Sequence, residues 1–158
     1  MCRIPPIDPR DAVLSVAEAM TWVRELGANR GQSVEAILRR VHLQPGSPWC
    51  AAFVAWCGYA ALRYKWPLPL VGGCATLAEA AEARGMLREQ PEVGAVFLIW
   101  GESVNRFRHT GFITLSGQSM GSYTVEGNTS PDGSPDGTGV FARLRSFGPR
   151  DRFIHWWI

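Results

Sequence analysis

The stretch Gly46-Ser47-Pro48-Trp49-Cys50-Ala51-Ala52-Phe53-Val54-Ala55-Trp56-Cys57 organises the chain around it. A turn signal, Gly46-Ser47-Pro48, runs straight into apolar sequence with a cysteine in its first turn. Proline suits the opening of a helix, because its fixed φ is already helical and its missing N–H is not needed there. The apolar character continues almost all round, which predicts a buried central helix from about Trp49 to Tyr64. A thiol at its start sits among unpaired backbone N–H groups at the positive end of the helix dipole. Both favour thiolate over thiol. Read alone, Cys50 is either a nucleophile with a histidine across from it or a small buried hydrophobe.

Working outward, Asp8 can cap a helix opened by Pro9, and Val13, Val16, Ala17, Met20, Val23 and Leu26 recur at helical spacing until Gly27. Ser33 starts a shorter helix with Val34, Ile37, Leu38 and Val41 on one side, and Thr76-Leu77-Ala78-Glu79 is a capping-box pattern opening a helix to about Arg84. From Pro91 onward the texture changes. Val96–Trp100, His109–Leu115, Tyr123–Glu126, Val140–Arg145 and Phe153–Ile158 read as strands separated by Gly, Pro, Asn, Asp and Ser clusters. Helices first and strands second predict an α+β fold, with N-terminal helices packed on an antiparallel sheet of about five strands.

Two of these strands carry chemistry. Arg108-His109-Thr110-Gly111-Phe112 brings a histidine into an alternating stretch, and Val125-Glu126-Gly127-Asn128 ends in a carboxylate and an amide. A thiolate that attacks, an imidazole that carries the proton and a third group that holds the ring make a nucleophilic site. Glu126 and Asn128 both qualify as the third group. Regular alternation would put them on one face.

In these segments, Pro-Trp-Cys-Ala-Ala-Phe-Val at 48–54, His-Thr-Gly-Phe at 109–112 and Val-Glu-Gly-Asn at 125–128, the chain resembles a CHAP domain, the cysteine- and histidine-dependent amidohydrolase/peptidase of papain-like cell-wall lytic enzymes. The resemblance covers roughly residues 15 to 158, and one departure is Gly94-Ala95, where such domains often carry Gly-Asp. It implies a papain-like fold with a curled, partly closed sheet, and a peptidoglycan amidohydrolase or endopeptidase such as an endolysin or antibacterial effector. Cys50, His109, Glu126 and Asn128 are the catalytic set it implies, without metal or cofactor. Its partners would be wall peptides and, for an effector, a small immunity protein. The alternatives are an amidase of a small glutathionylspermidine-like conjugate in the cytoplasm and an inert wall-peptide binding module.

Composition narrows the rest. The 158 residues suffice for one domain, 1–158, with residues 1–8 expected to be flexible, acting as a monomer. No apolar run reaches membrane-span length. The start Met1-Cys2-Arg3-Ile4-Pro5-Pro6 lacks signal-peptide layout, so the expectation is cytoplasmic synthesis, with action on the wall after release by another system. A net charge of +2 and the absence of basic runs interleaved with aromatics argue against nucleic acid.

No Cys-x-x-Cys pair is present, and Cys57 and Cys74 are expected as core or subsurface thiols. The doubled Ser-Pro-Asp-Gly at 130–137 reads as serial turns, with a calcium loop as the alternative; the stretch Arg39–Pro45, where some CHAP domains place calcium-binding acids, holds none, so no structural calcium is expected. Trp49 and Trp100 are candidates for lining a substrate groove; Trp56, Trp156 and Trp157 fit the core, and His155 a structural role.

Overall fold

A computed structural model describes residues 7–117, 121–132 and 137–157. Cys2, Ile158 and the part of the doubled turn motif at 133–136 lie outside them. Four helices precede most of the sheet: α1 (Pro9–Ala19), α2 (Gln32–Arg40), α3 (Cys50–Leu62) and α4 (Cys74–Glu82). The strands are β1 (Leu87–Arg88), β2 (Val96–Gly101), β3 (Arg106–Leu115), β4 (Ser122–Thr129), β5 (Gly139–Arg145) and β6 (Arg152–Ile154). They form one open antiparallel sheet in the order β1-β6-β2-β3-β4-β5.

The fold is therefore α+β, with six strands rather than about five. The strand missed is β1, whose two residues pair with β6 and are too few for any periodicity to reveal. The last strand is also shorter than expected: it ends at Ile154, and His155 and Trp156 turn away to bond the carbonyls of Gln90 and Gly94.

Local chemistry explains where the helices start and stop. Asp8 caps α1 by accepting from the Arg10 N–H at 2.8 Å, so the chain is anchored from Asp8 onward. The helical spacing predicted from Pro9 to Leu26 fails after Ala19. Thr21 donates its hydroxyl to the Glu18 carbonyl at 2.8 Å, and the next residues run extended along β5. There the Val23 carbonyl accepts from the Val140 N–H at 3.0 Å, and the Glu25 N–H donates to the Thr138 carbonyl at 2.8 Å. Val23 is thus buried by strand-like pairing, not by a helix face.

Helix α4 departs in the other direction. It begins two residues before the capping-box Thr76, with Gly73 as its N-cap and no side-chain cap. This makes Cys74 its first residue.

Helix α3 packs against α1 and α2 on one side and against β3 and β4 on the other, as its all-round apolar sequence requires. Phe53, Cys57, Ile37, Leu38, Phe112 and Val125 belong to the main core between helices and sheet. Alternation along β2 sends Val96 and Leu98 into that core, and Phe97 to a smaller cluster with Ala95, Ile113 and Phe153.

Candidate active site

The first helical residue of α3 is Cys50, with Pro48 two residues earlier and Trp49 as the N-cap. Trp49 is fully buried and donates its indole N–H to Glu25 at 2.8 Å. It pins the start of α3 and lines no groove, which corrects the expectation of a substrate contact. The reason is close packing. A Cβ on Gly127 would lie 2.6 Å from Phe53 and 2.8 Å from Trp49, so only glycine lets this helix end approach β4 so closely.

His109 lies near the middle of β3, just past a bulge. Ile99 pairs with His109 while Trp100 pairs with Phe107, leaving Arg108 as the extra residue. The bulge breaks the alternation. Phe107 packs on Cys50, Ala51 and Cys74, whereas His109 contacts Phe97, with ring centroids 6.0 Å apart.

The His109 Nε2 is 2.8 Å from Glu126 Oε2, in a pair almost wholly removed from solvent. Gly111 makes this reach feasible. A Cβ there would sit 3.0 Å from Glu126 Cγ, 2.9 Å from Phe97 and 2.7 Å from the Val125 carbonyl.

Glu126 is held on both oxygens. Arg145 donates Nε to Oε1 and a terminal nitrogen to Oε2, each at 2.6 Å, and the Thr124 hydroxyl donates to Oε1 at 2.6 Å. This two-pronged grip fixes the carboxylate plane. Burial pushes the Glu126 pKa up, but Arg145 and His109 outweigh it and hold the group at about 2. With Nε2 engaged by Glu126, the buried Nδ1 has no hydrogen-bond partner among the described residues. Burial opposes the imidazolium, yet the nearby Cys50 and the hydrogen-bonded Glu126 raise His109 to about 9.

Cys50 moves the opposite way. Its thiol is held well below the ordinary range, first by the facing thiol of Cys74 and then, against burial, by His109 and the Ala51 N–H. A lowered Cys50 thiol and a raised His109 are the directions that favour a thiolate beside an imidazolium.

Asn128 is not part of this hydrogen-bond chain. The pairing of β4 with β5 slips between Glu126 and Thr129, and Asn128 has φ +54°, so the regular alternation that would align it with Glu126 is lost. Its Oδ1 is buried without a hydrogen-bond partner among the described residues.

Trp100 lies outside the Cys50 cleft. It borders a neighbouring hollow with Leu87 and Arg152, under the Arg150 guanidinium and against the edge of Phe107.

Cys50 opens onto a cavity of about 500 Å³ between the starts of α3 and α4 and the first part of β3. Arg106 and Arg108 border it and, among the described residues, no carboxylate does. Among the described residues neither arginine is in an ion pair. Also among the described residues, no three His, Cys, Asp or Glu side chains are grouped to hold a metal ion, and no helix is long and apolar enough to cross a membrane.

Sequence reasoning missed Thr124, Arg145 and Cys74. Thr124 stands two residues before Glu126 and shares its face, a signal that was available. Arg145 pairs with Ser122 and reaches along the sheet to Glu126, which requires the register. Cys74 depends on where α4 begins. A scan against protein-family models finds no match for this chain, and searches of curated proteins and of solved structures return none.

Proposed function

We propose that this chain is a CHAP-type, papain-like cysteine amidohydrolase or endopeptidase that cuts an amide bond in peptidoglycan peptides. The observation that carries the reading is Cys50 at the edge of an open cavity with its thiol lowered, next to a buried, hydrogen-bonded His109–Glu126 pair. The Cys50 thiolate adds to the scissile carbonyl, and the oxyanion that forms is met by the backbone N–H at the start of α3. Collapse expels the amine, which takes its proton from His109. The neutral imidazole then accepts a proton from water as the water attacks the thioester, and Cys50 leaves as thiolate. Glu126, locked by Arg145, keeps the ring in the required tautomer and stabilises its charge.

The charge of the cleft bears on the substrate. Two arginines that are in no ion pair among the described residues, in a cleft that no described carboxylate lines, suit peptides with free carboxylates, as wall stem peptides have. A cationic polyamine arm meets charge of its own sign there, which disfavours the small-conjugate amidase. An inert binding module has no need of a thiolate–imidazolium pair.

The test is incubation of the purified chain with purified sacculi and with a polyamine–peptide conjugate, followed by mass spectrometry of the released products. New free amine and carboxyl ends from sacculi, absent with Cys50→Ala, are expected. Cleavage of the conjugate alone would transfer the assignment to the small-amide reading.

A further inference from the structure

We propose that Cys50 and Cys74 form an oxidisable pair, in which a hydroperoxide converts the two facing thiols into a reversible disulfide that closes the site. The sulfurs lie 3.5 Å apart, in contact and without another residue between them. Each belongs to the first residue of a helix, α3 or α4, and both border the same cavity, so a small oxidant reaches them from one side. Elsewhere they are shielded: Cys50 is 5% exposed and Cys74 is 8% exposed. A disulfide needs the sulfurs at about 2.05 Å, so they must close by roughly 1.5 Å. Gly73 immediately precedes α4, and a Cβ there would meet only Thr76 among the described residues, so the backbone can adjust at that position, whereas Gly72 packs closely on Leu43 and Val41.

The chemistry balances. The Cys50 thiolate attacks one peroxide oxygen, the O–O bond breaks, and the other oxygen leaves as hydroxide or alkoxide. Cys50 is thereby oxidised to a sulfenic acid. Cys74 then attacks that sulfur, forming the S–S bond as the S–O bond breaks. The departing hydroxide takes the Cys74 proton and leaves as water.

In total two thiols lose two electrons and the peroxide gains them. The Cys50 thiolate, its nearest partner, and burial together push the Cys74 thiol up, so Cys74 carries the proton this step needs. A low-molecular-weight thiol reverses the bond by exchange. Without Cys74, a second peroxide would carry the sulfenic acid on to the sulfinic acid, which thiols do not reduce.

The reading rests on Cys50 being the reactive thiolate proposed above, but the crosslink is detected by mass without any substrate, so the two ideas fail separately. The full chain is treated with a small excess of hydrogen peroxide, digested and analysed by mass spectrometry with and without dithiothreitol. A peptide joining Cys50 to Cys74, lost on reduction, is expected, together with loss of wall hydrolysis that dithiothreitol restores nearly in full. Cys74→Ser and Cys74→Ala should instead accumulate Cys50 sulfinate and remain inactive after reduction, while Cys57→Ala behaves like the parent. Cys50 sulfinate in the parent chain with no joined peptide would overturn the proposal. So would full dithiothreitol recovery in both Cys74 variants.

Discussion

Cys50 and Cys57 stand two turns apart on α3, both without appreciable exposure, yet their thiols are driven in opposite directions. At Cys57 burial acts alone and pushes the thiol well up. Its sulfur lies in the main core, 3.8 Å from that of Met20. At Cys50 the same burial is overcome by Cys74, His109 and the Ala51 N–H. Burial is therefore not what makes a cysteine inert. What matters is whether the dry surroundings contain donors and positive charge.

The sharpest way to break this contrast is substitution. Cys50→Ala or Cys50→Ser should reduce wall hydrolysis by about 10³-fold or more with an unchanged melting curve, as for loss of a nucleophile. Cys57→Ala should keep turnover while losing about 1–3 kcal/mol of stability from the cavity it opens. Turbidity loss of sacculi and thermal melts measure both, and full activity in Cys50→Ala would sink the site.

Alkylation tests the same contrast without substrate. Iodoacetamide at pH 6 should modify Cys50 at least about 100-fold faster than Cys57, read by peptide mass. Equal rates would mean that the two thiols share one environment.

Glu126→Gln comes next, with an expected fall in turnover of roughly 100-fold. The pH profile gives the sign. His109 is raised to about 9, so the imidazolium persists up to that pH and activity declines as pH rises through it. Removing the carboxylate takes away a partner of the charged ring and leaves Arg145 beside it, so the alkaline limb should move to lower pH. Asn128→Ala should be milder, a few-fold, and leave that limb in place, since Asn128 is outside the His109–Glu126 bond. A silent Glu126→Gln beside a crippled Asn128→Ala would reverse the two roles.

The effect confined to the narrowest range of conditions is on stability in acid. Glu126 is held at about 2 against an ordinary 4.5, so its contribution is complete above pH 4.5 and is lost as pH falls through about 2. Thermal melts over that range should lose about 3 kcal/mol more in the parent than in Glu126→Gln.

How much of this was legible in the chain follows from the range of each interaction. The central helix was readable because Pro48 and an unbroken apolar run are local signals, and Cys50 stands where they meet. His109 and Glu126 were readable because their strands carry turn residues at both ends and the pairing of β3 with β4 brings them together. Arg145 was not, because its bond to Glu126 crosses strands diagonally and depends on register. The end of α1 was misread because Val23 is apolar at a helical interval but is buried by pairing with β5. Cys74 was hidden by a two-residue difference in where α4 begins, since a capping pattern at Thr76 competes with Gly73 as the start.

The position of β6 has a bearing on the order of assembly. This strand is the last in the chain, yet it lies between β1 and β2, and β1 touches the sheet only through it. Closing that gap joins segments far apart in sequence, an entropic cost met before the contacts reward it, so this side should order late. The β3–β4 pairing that joins His109 to Glu126 does not wait for it. In refolding followed by amide exchange, protection at Phe112 and Val125 should precede protection at Leu87 and Phe153, so the relay is framed before the sheet is complete.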